Sequence, residues 1–147
     1  MISKAQMMPI IPEKFPGFAP TWKKHRELWG DEEAGICNDI GEFAQFVVDA
    51  YECGDKDLIV AAFALIEEFL TNGDQEVRDA AGIGFLEDVR NIASHRPFGS
   101  SVFLAWLGPT SKQAWGEIEE MWRGKHSLAD VVPAERRAQV KPKNGNS

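Results

Sequence analysis

Cysteine, histidine and tyrosine are scarce in this chain, at two, three and one residues, and no apolar run exceeds the nine residues of Leu58–Ile66. That run is about half of the roughly 20 residues a membrane-spanning helix needs, so no membrane association is expected. The opening MISKAQMMPIIPEKFPGF carries an early lysine but no sustained apolar stretch before its prolines. A secretory signal is therefore not recognisable, and a cytoplasmic location is expected. Cys37 and Cys53 would lie about 24 Å apart on one helix, beyond the roughly 7 Å that a disulfide spans, and both read as reduced thiols packed like small apolar groups. No C-x-x-C, H-E-x-x-H or G-x-x-x-x-G-K-S/T pattern occurs, and His25, His95 and His126 are scattered. Metal hydrolysis and P-loop chemistry lose their residues, and neither a metal nor a cofactor is expected.

The 147 residues suit one domain, and 44% apolar content with five Trp and nine Phe is enough to build a packed core. Strand-like alternation bounded by hairpin turns is missing, whereas spacings of three and four residues recur. The expected fold is all-α: a compact bundle of about six helices with HEAT-like antiparallel helix pairs in the middle. Residues 1–20 hold four of the eight prolines, and 1–19 read as an extended arm anchored by Phe15 and Phe18. A single helical domain follows over 20–124, and a flexible tail over 125–147.

Within that domain a short helix opens at Pro20, with Trp22, Arg26 and Trp29 on one stripe, and stops at Gly30. Ile40, Phe43, Val47 and Ala50 mark the next helix, which ends at Gly54-Asp55. Leu58 to Leu70 is apolar on more than one face and should be central. Asp55 and Asp74 are placed to cap helix N-termini, and Gly73 suits a left-handed C-terminal turn. A third long helix runs from Val77 to Ala93 with Gly82 and Gly84 inside it. Two interior glycines cost about 1 kcal/mol each relative to Ala, which implies close approach of a neighbouring helix. FGSSVFLAWLG forms one short helix, and Pro109-Thr110 opens the last, with Thr110 and Gln113 at capping-box spacing. Trp106, Trp115 and Trp122 fit core stripes. The Gly-Asp steps at 54 and 73, each followed by a helix, form a weak repeat close to HEAT pair length.

Charge is unevenly distributed. Residues 31–90 carry 16 acids and three bases, while 1–30 and 91–147 are each +3, for a total of -7. General nucleic-acid binding is disfavoured by this balance. The acids between Asp49 and Asp88 lie off the apolar stripes and at helix starts. They read either as solvated, dipole-complementing groups or as an acidic side for a basic protein partner such as a nuclease toxin. The candidate partner-binding residues are Asp74, Glu76, Asp79, Glu87, Asp88, Asn91 and His95. Glu87, Asn91, Ser94 and His95 share one helix face, where His95 would titrate near neutrality or simply complement a helix C-terminus. Glu67 and Glu68 opposite Glu87 would make a carboxylate pair for acid/base hydrolysis, a weak signal beside solvated charge.

The runs GDKDLIVAAFALIEEFLTNGDQEVRDAAGIGFLEDVRN, Gly54 to Asn91, and FLAWLGPTSKQAWGEIEEMW, Phe103 to Trp122, resemble a family of small helical bacterial proteins defined as a domain of unknown function. Some of its relatives look like immunity proteins that neutralise toxins of interbacterial competition. The resemblance implies a helical fold and carries no catalytic residue. The expectation is a non-enzymatic binding module, most of all an immunity-type protein with an acidic face. A helical-repeat adaptor or scaffold is the alternative, and an enzyme using Glu87 and His95 comes last. Oligomeric state is open at this level.

Overall fold

The order of helices follows from where the apolar residues recur and where Gly, Asp and Pro interrupt them. The computed structural model describes the backbone of residues 1–131 and the side chains as far as Arg123. Among the described residues there are seven α-helices: α1 (Lys4–Lys14), α2 (Ala19–Trp29), α3 (Ile36–Glu52), α4 (Lys56–Asn72), α5 (Gln75–Asp79), α6 (Glu87–Ser94) and α7 (Pro109–Val131). A π-helical segment, Ala80–Leu86, joins α5 to α6, and 3₁₀ turns occupy Pro16–Phe18 and Ser101–Trp106. Among the described residues there is no strand, only an isolated bridge between Ile2 and Gly73. The all-α expectation is met. Among the described residues no helix is long and apolar enough to cross a membrane.

The chain divides into two units, Met1–Trp115 and Gly116–Ser147. In the first, α3 is the hub, packing on the π segment, α6 and α4. Ile40, Phe43, Ala44, Val47 and Val48 of α3 and Ile59, Ala62, Phe63, Ile66 and Phe69 of α4 are almost fully buried. Phe43 and Phe63 both meet the Phe85 ring, at 5.5 and 5.7 Å between centroids, so one aromatic side chain from the π segment links the two long helices. Burial of this set, about 1.5–3 kcal/mol per large side chain, is the main force holding α3 to α4. The described part of the second unit continues α7, with Arg123 paired to Glu120 at 2.8 Å.

The expected extended arm is instead helical. Pro9 and Pro12 lie inside α1, where each removes a backbone hydrogen bond, yet Met7, Met8 and Ile11 are buried along one side. Ser3 N–H donates to the Gln6 side chain at 2.8 Å, and Ile2 N–H donates to Asn72 O at the same distance. Tertiary burial and these end contacts outweigh the local proline penalty. Of the expected tail 125–147, the backbone as far as Val131 continues α7; residues 132–147 lie outside the described residues.

Other expectations shift in detail. Gly73 is extended (φ -82°) rather than left-handed, and it is Gly because a Cβ there would come within 2.4 Å of Phe69 O and Val77 Cγ1. Gly54 adopts the positive φ, 82°. Gly84 does meet a close neighbour: a Cβ would lie 2.7 Å from Ile40 Cγ2. The single long helix expected over 77–93 contains the π turn, and both cysteines are exposed rather than packed, at opposite ends of α3.

Candidate functional site

Most carboxylates of residues 31–90 that make contacts are engaged inside the fold. Asp55 Oδ1 accepts from Leu58 N–H at 3.2 Å and Asp74 Oδ1 from Val77 N–H at 3.0 Å, so both cap helices as their positions predict. Arg96 donates to Asp49 (3.1 Å) and to Glu52, tying the end of α3 to the loop after α6. Glu67 reaches from α4 to the start of α7. Its carboxylate accepts from Thr110 N–H and Ser111 N–H, both at 2.9 Å, and from Ser111 Oγ–H at 2.8 Å. Burial pushes the Glu67 carboxyl upward, but the Thr110 and Ser111 hydrogen bonds outweigh it and leave the group below its ordinary value. This long-range cap does the work expected of a Thr110–Gln113 box. It also removes Glu67 from any carboxylate pair with Glu87.

Of the others, Asp31, Glu32, Glu33, Asp57 and Glu68 are exposed before α3 and on α4, and a further group lies on the outer side of α5, the π segment and α6. Glu76 and Asp79 are exposed, and Glu87 and Asp88 are half-buried. Asp79 accepts from Gln75 Nε2–H at 2.8 Å, while Glu87 and Asp88 have no cationic partner among the described residues. The Asp88 carboxyl is pushed up to about 6, first by burial and then by the neighbouring Glu87 charge. It sits against α3, where a Cβ on Gly41 would lie 2.9 Å from Asp88 Oδ2. The Cys37 thiol is raised by burial and then by the Asp88 and Asp79 charges, which places all three in one electrostatic neighbourhood.

The π turn gives this surface an apolar centre. Of Ala80–Leu86 every residue is buried except Ile83, which is 55% exposed. Asp79, Ile83 and Glu87 follow at intervals of four along the same helical stretch, so an exposed β-branched side chain is bracketed by acids. π turns are rare and recur where function offsets their poorer backbone geometry.

The other candidate residues separate. Asp74 is used as a cap at the start of α5. Asn91 and His95 are exposed, Ser94 Oγ–H donates to Asn91 O at 2.6 Å, and His95 ends α6. No hydrogen bond joins Glu87, Asn91 and His95 among the described residues, and no group of three or more His, Cys, Asp or Glu suited to a metal occurs there. Of the seven, Asp79, Glu87 and Asp88 stay together, with Glu76 one turn before them.

One arrangement is not legible from spacing. His25 is 7% exposed, with Nε2 2.8 Å from Asp39 Oδ1 and Nδ1 3.7 Å from Glu42 Oε2, and its ring lies between Trp22 and Trp29. The periodicity of α2 points to Trp22, Arg26 and Trp29 as its inner stripe; burial falls on His25, and Arg26 is exposed. The available signal is that α3 offers carboxylates at 39 and 42, one turn apart.

A family model described as a domain of unknown function (DUF7674) matches residues 8–123. No curated protein and no solved structure matches the chain.

Proposed function

The chain belongs to the DUF7674 family, a domain of unknown function, and on that premise we propose that it is a protein-binding module whose α5–α6 surface docks a basic protein. The observation that carries this reading is Ile83, an exposed apolar side chain held outward by a π turn and bracketed by Asp79 and Glu87, with Asp88 beside them. Interfaces concentrate their energy in a desolvated apolar anchor, while surrounding charges set partner choice and association rate. Here the anchor is small and the charges are of one sign, so the complementary surface is a shallow apolar pocket rimmed by Lys and Arg. The biological role we read into such a module is immunity: occupying the basic surface of a toxin blocks it without any chemistry on the inhibitor's side. The resemblance of the Gly54–Asn91 run to a family with immunity-like relatives supports that role.

The test is capture of partners from the native cell by the wild-type chain and by an Asp79→Lys/Glu87→Lys/Asp88→Lys variant with unchanged circular dichroism. A basic protein retained by the wild type, lost by the variant, and released as salt rises from 50 to 500 mM is the expected result. Loss of affinity should reach kcal/mol size, about tenfold or more in Kd. A partner that is acidic, or is bound equally by the variant, defeats the reading. Stoichiometric suppression of that partner's toxicity separates an immunity role from an adaptor role.

A further inference from the structure

The first unit contains a second feature that the acidic surface does not use: an open groove of about 630 Å³ between α1 and α2, closed below by the turn into α3. Lys4 and Met8 form one wall, Trp22 and Arg26 the other, and Glu33 and Asp39 lie at the far edge. The volume falls within the range of small-molecule sites. The wall behind it is rigid, because Asp39 and Trp22 are both held by the buried His25, through the 2.8 Å contact to Asp39 Oδ1 and ring stacking at 5.7 Å.

Arg26 sets the chemistry. Its guanidinium lies over the Trp22 ring, 5.7 Å from the centroid. Arg78, Arg96 and Arg123 each donate hydrogen bonds to protein oxygens. The Arg26 guanidinium makes no hydrogen bond or ion pair to protein oxygens among the described residues, and neither does the Lys4 ammonium across the groove. What sets these two cations apart is that both line one cleft, in a chain of net charge -7. A guanidinium held near an indole face keeps its planar fork of N–H donors, which matches a carboxylate in bidentate pairing. The two acids at the edge are not equivalent: Asp39 is committed to His25, and Glu33 is exposed. A cationic ligand would meet Lys4 and Arg26, with the Trp22 face already occupied.

We propose that this groove binds a small planar carboxylate, its charge between Arg26 and Lys4 and its flat body against Met8 and the Trp22 edge. The test uses the full chain and benzoate as probe, followed by NMR of the Trp22 indole and Arg26 side-chain signals. Benzamidine and inorganic phosphate serve as comparison probes. Saturable shifts with benzoate at a Kd of about 10 mM or tighter are expected, with benzamidine silent and phosphate at least several-fold weaker. Arg26→Gln, of unchanged thermal stability, should weaken benzoate binding about tenfold, and Glu33→Gln should strengthen it modestly by removing a repulsive charge. The proposal is overturned by absence of saturation with benzoate, by benzamidine or phosphate binding as well as benzoate, or by an Arg26→Gln variant that binds unchanged. None of these outcomes bears on the α5–α6 surface.

Discussion

Asp88 holds a carboxyl group where a neutral side chain is easier to accommodate. Its folded-state value of about 6 stands above the ordinary 3.8, because burial and then the Glu87 charge disfavour ionisation. Between those two values the folded protein binds the proton more tightly than the unfolded chain, so this group adds stability as pH falls from about 6 to about 4 and subtracts it above 6. Asp88→Asn should therefore stabilise the protein at pH 7 and flatten that part of the pH–stability curve. The full shift corresponds to about 3 kcal/mol, and screening at a half-buried site reduces the expected gain to about 1 kcal/mol. Urea denaturation of both proteins at pH 5 and pH 7.5 measures it; equal stabilities at the higher pH would show that Asp88 is not strained. A residue kept charged against its own stability fits a surface selected for docking.

At the scale of elements, α7 and the π turn each depend on a contact distant in sequence. Glu67 caps α7 from α4, and Ser111, fully buried, relies on it for both its N–H and its hydroxyl. Glu67→Ala should cost about 2 kcal/mol at pH 7, the sum of a lost cap and unsatisfied buried donors. Because the Glu67 carboxyl lies below its ordinary 4.5, its stabilisation is present above that value and disappears as pH falls through the lowered one. The two glycines of the π turn should respond with opposite signs. A Cβ at Gly84 would overlap Ile40 Cγ2 at 2.7 Å, whereas one at Gly82 would make ordinary contact with Leu70 Cδ2 at 3.8 Å. Gly84→Ala is expected to lower stability by about 1–3 kcal/mol and Gly82→Ala to leave it unchanged or raise it by up to about 1 kcal/mol. Melting curves of the two variants decide this, and a common sign would mean that the π geometry itself, not the contact with α3, sets the need for glycine.

Across the whole molecule, salt should act in two directions. Sixteen acids and three bases in residues 31–90 repel one another even after the caps and ion pairs are made. Raising NaCl from 50 to 500 mM should increase Tm by a few degrees while weakening the proposed complex with a basic partner. A protein that melts lower at high salt would show instead that ion pairs such as Arg96 with Asp49 and Glu52 dominate its electrostatics. The acidic surface itself is narrower than composition suggests. Asp49, Glu52, Asp55, Asp74 and Glu67 all lie within residues 31–90, yet they serve caps and ion pairs, and among the acids left over Asp79, Glu87 and Asp88 form a local group near Ile83.

Periodicity and punctuation were enough to determine the all-α class, the α3 and α4 apolar stripes, the Asp55 and Asp74 caps and the start of α2 near Pro20. These are governed by contacts within one or two turns, which the order of residues states directly. Tertiary structure alone decided that α1 forms despite two prolines, that His25 rather than its tryptophan neighbours is buried deepest in α2, that Glu67 closes α7, and that the chain widens into a π turn to present Ile83. Each of those depends on a partner brought close by folding, whether Asn72 to Ile2, Asp39 to His25, Ser111 to Glu67 or Ile40 to Gly84, and such pairings leave no local pattern because their free energy exists only once the core has assembled.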